Sequence, residues 1–195
     1  GSPSAGGGVA TETPKEPEKV EEKPTEATLN EVTAEQLKDK EQIVVKDKSG
    51  IEVSVPTAGL QLKDDEKLVV AVQNTTEKIE VNLNIVAEDG TTTAVNTGKN
   101  YVKVTLTLET KDSNLVILQL VDGQYRAVPH TVVDGVVTIL TKTSGTFIVS
   151  NEQVSFSDID NLFSKEEIEF LANRHVVLGA DGAFMPNSAL TRGQF

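Results

Sequence analysis

The residues with the clearest potential for binding chemistry are Thr191, Arg192 and Gly193, near the end of the chain. With Gln194 they form the pattern Thr-x-x-Gln, a capping box that begins a helix. The first turn of a helix leaves backbone N–H groups free and carries a partial positive charge. An arginine in that turn adds a planar fork of donors that suits a carboxylate. These three residues therefore predict an anion-binding site; the alternative is that Arg192 is a solvated residue at a helix start.

The sequence also predicts a helix before this site. The sequence Ser-Lys-Glu-Glu at residues 164–167 is another capping box, and Phe163 and Ile168 have the spacing of a hydrophobic staple. The pattern predicts a helix over residues 165–175 that ends before Gly179, where glycine can adopt the left-handed conformation. The apolar face of this helix consists of Ile168, Leu171 and Ala172.

A loop with a distinctive sequence connects the two predicted helices. Residues 180–187 read Ala-Asp-Gly-Ala-Phe-Met-Pro-Asn, which predicts a tight turn followed by a short extended segment. With Ser-Phe-Ser-Asp-Ile at 155–159 and Leu-Thr-Arg-Gly-Gln-Phe at 190–195, this order resembles an S-layer homology (SLH) repeat. The family's Asp-Gly-x-Phe-x-Pro-Asn loop is intact, whereas Gly193 and Gln194 replace its usual Ala and Glu. Leu-Phe at 162–163 occupies the neighbourhood of its usual Trp.

The resemblance implies a role in anchoring exported proteins to the bacterial cell wall. Members of this family bind a wall polysaccharide that carries acidic, often pyruvylated, sugars, and Arg192 with Thr191 and Gly193 would bind the acidic group. Residues 155–195 would be the first SLH repeat, truncated in its second helix, with further repeats beyond Phe195. The implied location is extracellular, in the cell wall or S-layer. We expect no catalytic residue, no metal site and no cofactor.

Residues 41–152 carry the pattern of an antiparallel β-sandwich. Apolar and polar residues alternate at 51–55, 79–85 and 102–108, as in half-buried strands, and continuous apolar runs at 68–72 and 115–121 suit central strands. Asp-Gly between apolar runs predicts tight hairpins at residues 121–124 and 133–136. About eight short strands without a long helix indicate a sandwich.

The second half of this region has a resemblance of its own. Residues 115–129 read Leu-Val-Ile-Leu-Gln-Leu-Val-Asp-Gly-Gln-Tyr-Arg-Ala-Val-Pro, and strand-like segments follow at 135–140 and 143–149. This succession resembles the β-rich module that often precedes SLH repeats in surface proteins of Gram-positive bacteria. It implies a spacer with no known chemistry.

Residues 1–40 are predicted to be a disordered linker. The chain is rich in Pro, Glu, Lys and Thr and has no periodic apolar pattern, so it buries too little surface to offset its ordering entropy. Within it, Thr33-Ala-Glu-Gln resembles a capping box and predicts one helical turn after Thr33. The predicted fold class is therefore mainly β: a disordered linker, a sandwich and a small, truncated helical unit.

Composition narrows the function classes. The formal net charge is -12 and none of the three regions is basic, which disfavours nucleic acid and anionic lipid surfaces as partners. There is no cysteine and no apolar run long enough to span a membrane. Asp158 and Asp160 begin like a calcium loop, but Leu162 interrupts the pattern. His130 and His175 show no triad spacing.

Two alternative functions stay open. The sandwich could itself be a carbohydrate- or protein-binding module, which predicts an exposed aromatic platform; Tyr101 and Tyr125 are the aromatic residues available for it. The chain could instead be a fragment of a surface hydrolase, which predicts a deep cleft with clustered carboxylates or histidines.

Overall fold

Two antiparallel sheets form the body of the protein. The structure, a computed structural model, describes residues 27–110, 112 and 114–193. In chain order the strands are β1 (Thr28–Thr33), β2 (Gln42–Lys46), β3 (Glu52–Pro56), β4 (Glu66–Asn74), β5 (Ile79–Ala87), β6 (Thr92–Ala94), β7 (Val102–Thr107), β8 (Val116–Val121), β9 (Gln124–Ala127), β10 (His130–Val133), β11 (Val136–Thr141) and β12 (Gly145–Ser150). The helices are α1 (Ala34–Leu37) and α2 (Lys165–Asn173). The mainly β prediction is confirmed.

The sheets differ in size and share one core. The first has the order β1-β4-β5-β12-β8-β9, with β6 also paired to β5, and the second has the order β10-β11-β7-β3-β2. Inward-facing aliphatic side chains of both sheets pack around the ring of Phe147, which is fully buried. Because successive side chains of a strand point to opposite faces, the alternating segments bury one face only. The apolar runs at 68–72 and 115–121 lie in interior strands β4 and β8, as predicted.

The two predicted Asp-Gly hairpins are confirmed. Val121 pairs with Gln124 and Val133 pairs with Val136, so each loop has two residues. In both loops the Asp and the Gly have positive φ, 51° and 75° in the first and 50° and 82° in the second. These are the dihedrals of the type I′ turn, whose twist matches that of the flanking strands.

The boundary predicted at residue 40 is wrong, because the sandwich begins earlier. Strand β1 pairs with β4 over six residues, and Val32 is buried in the core against it. Residues 1–26 of the predicted linker lie outside the described residues. Among the described residues of 41–152 there are eleven strands, β2–β12, where about eight were expected. The short strands β6, β9 and β10 bury few side chains and leave little pattern in the sequence.

The helical turn predicted after Thr33 is confirmed as α1. The Gln36 amide donates to Thr33 Oγ1 at 3.3 Å, and the Thr33 amide donates to Gln36 Oε1 at 2.9 Å, which completes the capping box. Neither α1 nor any other helix in the described part of the chain is long and apolar enough to cross a membrane.

Gly123 and Gly135 provide a matched pair for testing the hairpins. Both have positive φ, but a Cβ at Gly135 would lie 2.9 Å from the Leu108 carbonyl oxygen, whereas a Cβ at Gly123 would meet nothing within 4 Å. We expect Gly123→Ala to lower the free energy of unfolding by about 1–2 kcal/mol, the cost of a left-handed L-residue. Gly135→Ala should cost clearly more, because backbone must also move.

Urea denaturation of the two variants and the wild-type chain measures this difference. Equal losses would show that the contact between Gly135 and the Leu108 carbonyl does not constrain the second sheet.

Candidate functional site

The residues after the sandwich form a C-terminal unit, residues 154–193, with its own small core. Phe156, Ile159, Ile168 and Ala172 are buried there and form a cluster separate from that of the sandwich. Four partly buried side chains pack against this cluster: Val154, Leu162, Val177 and Phe184. Helix α2 supplies Ile168 and Ala172 from one face, as its periodicity predicted, while Leu171 of the predicted face is partly exposed.

Helix α2 begins at Lys165, as predicted, but the capping box predicted at its start does not form. Ser164 is the N-cap, but its φ of -96° and ψ of 20° are not extended, and its side chain makes no capping hydrogen bond. The chain enters the helix from a turn in which the Lys165 amide donates to the Leu162 carbonyl, so the hydroxyl cannot reach back as a capping box requires. Phe163, the predicted staple, is fully exposed, and Leu162 packs on the core instead.

The end of α2 is set by His175 and not by Gly179. His175 has a φ of 54°, its amide donates to the Ala172 carbonyl, and the Val176 amide donates to the Leu171 carbonyl. These two bonds form a Schellman motif, which here places a histidine in the left-handed position usually filled by glycine. The helix therefore ends at Asn173, two residues before the predicted end.

Gly179 lies in the loop after α2, where it allows the chain to pass close to the core. Its φ is 61°, and a Cβ there would lie 2.5 Å from both the Ala183 carbonyl oxygen and the Phe156 ring. Ala180 and Ala183 pair across a two-residue turn in which Asp181 and Gly182 have φ of 50° and 76°. The predicted tight turn is thus present, and it approaches the core too closely for any larger residue at position 179.

Asp158 ties this loop to the start of the unit. Its two carboxylate oxygens accept from the Phe184 and Met185 amides, each at 2.8 Å. The Phe184 ring lies 5.7 Å from the Phe156 ring, centroid to centroid. The backbone hydrogen bond from Phe184 is the largest cause that lowers the pKa of Asp158 below its usual value. No local pattern in the sequence signals this contact, because it joins residues 26 positions apart.

The predicted ligand residues Thr191, Arg192 and Gly193 lie together on the surface. All three are exposed, and a Cβ at Gly193 would meet no atom within 4 Å. Arg192 and Gly193 form a turn, and Gly193 is the last described residue. The helix predicted to begin at Thr191 would continue through Gln194, which lies outside the described residues. The helix start and the anion site that it would form therefore stay predictions.

Exposed apolar side chains are concentrated on the C-terminal unit. Besides Phe163, the set comprises Phe170, Leu171, Val176, Leu178, Met185 and Leu190. The Phe170 ring is partly covered, since the Arg174 guanidinium stacks on it at 3.5 Å from the ring centroid. This amount of exposed apolar surface on so small a unit is typical of a surface that packs against another element.

The tyrosines of the sandwich do not form a free aromatic platform. The Lys142 ammonium lies 5.0 Å from the centre of the Tyr101 ring, and the His175 ring meets Tyr125 edge-on at 6.4 Å. Each ring thus has a neighbour within the chain. This arrangement gives the alternative of a carbohydrate-binding sandwich no specific support.

Several carboxylates line an open groove of about 480 Å³ at one end of the first sheet. Within it, the Lys63 amide donates to Glu66 at 2.9 Å and the Lys67 ammonium pairs with Glu31 at 3.1 Å. The hydrogen bond from the Lys63 backbone is the main cause that lowers the pKa of Glu66. A general acid needs the opposite shift. No three acidic or histidine side chains in the described part of the chain gather closely enough to hold a metal ion.

No protein-family model, curated protein or solved structure matches the chain.

The Asp158 contact can be tested by amide exchange. Asp158→Asn should accelerate exchange of the Phe184 and Met185 amides, because a neutral side chain with one acceptor oxygen replaces a carboxylate that accepts from both. The pKa of Asp158 is lowered in the folded state, so its stabilising effect is present at neutral pH and is lost as the pH falls below about 3.8 through the lowered value.

Asp160→Asn is the matched control. It removes an exposed carboxylate that contacts Lys165 at 2.6 Å and touches neither amide. If both variants accelerate exchange equally, the loop is not held by Asp158 in particular.

Proposed function

We propose that this chain anchors an exported protein to bacterial cell-wall polysaccharide. The C-terminal unit is the binding end, and the β-sandwich is a spacer that joins it to whatever precedes. The protein acts outside the cell, in the cell wall or S-layer, and the ligand is a polysaccharide that bears acidic, pyruvylated sugars. No catalytic step is part of this proposal.

The observation that carries the proposal is the fold of the loop on which the SLH resemblance rests. Asp181 and Gly182 make the tight turn, Phe184 packs on Phe156, and Asp158 accepts from the loop's backbone. These residues belong to the motif that the resemblance identified, and each has a defined role in closing the unit. A chance match of sequence letters would not require them to meet in one small core.

Charge supports the choice of Arg192 as the contact to the ligand. The chain has a net charge of -12, so an acidic polysaccharide is repelled by most of its surface. Arg192 is exposed in a turn, and a Cβ at its neighbour Gly193 would meet no atom within 4 Å. A guanidinium in that position can form a bidentate contact with the carboxylate of a pyruvyl group.

The exposed apolar side chains of the unit fit a protein with further repeats. Phe163, Leu178 and Leu190 would be covered if additional repeats beyond Phe195 packed against the first. Such packing would also supply the second wall of a groove beside Arg192. In the proposal, the described unit is therefore one side of the binding site.

Retention on purified cell-wall sacculi tests the proposal. We expect the protein with its repeats to sediment with intact sacculi and to stay in solution once the polysaccharide has been extracted. Arg192→Ala should weaken retention roughly tenfold or more, the effect of losing a charge-assisted hydrogen bond. Removing ketal-linked pyruvate from the polysaccharide should have a similar effect on the wild-type protein and little further effect on the variant.

Arg126→Ala is the control, because Arg126 is an exposed arginine on β9 of the sandwich. Equal losses in the two variants would indicate a non-specific charge effect. Retention that survives Arg192→Ala would place the ligand contact on other repeats. No retention at all would refute the anchoring function.

A further inference from the structure

His130 occupies the point where the chain passes from the first sheet to the second. Strand β9 pairs with β8 as far as Ala127, which lies opposite Leu118. The next residue of β8 on this side is Ile117, and its amide donates to His130 Nε2 at 3.2 Å. The imidazole therefore supplies the hydrogen-bond acceptor that a further residue of β9 would have supplied to the Ile117 amide.

The hydrogen bonds of the ring define its protonation state. His130 Nδ1 lies 2.8 Å from the Val128 carbonyl oxygen, which can only accept, so Nδ1 carries the hydrogen. Nε2 accepts from Ile117 and must carry none. The structure thus needs neutral His130 in a single tautomer, with both nitrogens bonded to backbone groups.

The C-terminal unit meets the sandwich at the same place. The positive charge of Arg174, which follows α2, acts on the His130 ring, and the His175 ring contacts Tyr125 of β9. Tyr125 lies opposite Leu120 in register and therefore on the outer face of the sheet. On that face, Val116 and Leu118 of β8 are 2% and 1% exposed. Both histidines of the chain are therefore at the junction between its two folded parts.

We propose that His130 is an acid-sensitive latch that holds the C-terminal unit on the sandwich. A proton on Nε2 turns the acceptor of the Ile117 hydrogen bond into a donor, so two N–H groups face each other and the bond is lost. The ring also becomes a cation beside Arg174. Both changes weaken the start of β8, which pairs with β9, the strand whose Tyr125 contacts the unit. This proposal is independent of polysaccharide binding.

The surroundings of the ring fix the direction of the effect. Burial is the largest cause and lowers the pKa of His130 below 6.5; the Val128 hydrogen bond opposes it, and Arg174 has the smallest effect and also lowers the pKa. The neighbouring strands β8 and β11 carry no titratable residue, β9 carries Tyr125 and Arg126, and the unit contributes Arg174 and His175. The latch is thus complete above pH 6.5 and opens as the pH falls from 6.5 through the lowered pKa.

Nuclear magnetic resonance of the full chain tests the latch. Between pH 7.5 and 4.5 we expect three signals to change with one midpoint below 6.5: the His130 ring protons, the Ile117 amide protection and the Tyr125 ring shift. Protection of Ile117, corrected for intrinsic exchange, should fall by about tenfold or more. His130→Gln should make the Ile117 protection insensitive to pH, because the amide oxygen of Gln can accept from Ile117 without titrating. It should also remove the part of the Tyr125 shift change that follows the Ile117 protection.

Two further variants separate the effect of Arg174 on the His130 titration from that of His175. Arg174→Gln should move the midpoint to higher pH, because a cation beside the ring is removed. His175→Gln should leave the coupled transition of His130 and Ile117 in place. The proposal is overturned if Ile117 protection does not change while His130 titrates, if His130 does not titrate in this range, or if Tyr125 keeps its shift when Ile117 loses protection. These wild-type comparisons decide the matter even if His130→Gln does not fold.

Discussion

The first sheet depends on β12, the last strand of the sandwich. It pairs with β5 on one side through residues 145–147 and with β8 on the other through residues 146–150. Without it, the group β1-β4-β5 and the hairpin β8-β9 would be two separate sheets. Its Phe147 is the fully buried aromatic residue of the core, and the hydroxyl of Ser144, just before the strand, accepts from the Leu83 amide. The C-terminal unit follows this strand directly.

The C-terminal unit depends on contacts between its two ends. Residues 156–158 and residues 180–185 are joined by the ring contact of Phe156 with Phe184 and by the two amide bonds to Asp158. A unit of forty residues buries too little surface to be stable by apolar packing alone. Its contact with the sandwich, where the His175 ring meets Tyr125 of β9, therefore contributes to its stability and links the position of any ligand site to the sandwich.

Local sequence signals were reliable where one short segment decides its own structure. The Asp-Gly hairpins and the capping box of Thr33 needed only their neighbours, so pattern reasoning identified them. It failed at β1, because one buried residue, Val32, identifies that strand and the rest is supplied by pairing with β4. It failed at Ser164, since a capping box requires an extended N-cap and the preceding turn excludes that conformation. The contact of Asp158 is distant in sequence and leaves no local pattern.

The position of β12 in the chain also has a consequence for how the protein acquires its structure. During synthesis, β4, β5 and β6 can pair as soon as they emerge, but residues 79–81 on the inner edge of β5 remain unpaired until Gly145 has been made, more than sixty residues after Val81. Folding of the first sheet must therefore await a strand that is distant in sequence, which places it among the slower, non-local topologies. Until then the nascent chain carries an open strand edge, and the bound Ser144 hydroxyl marks where that edge is finally closed.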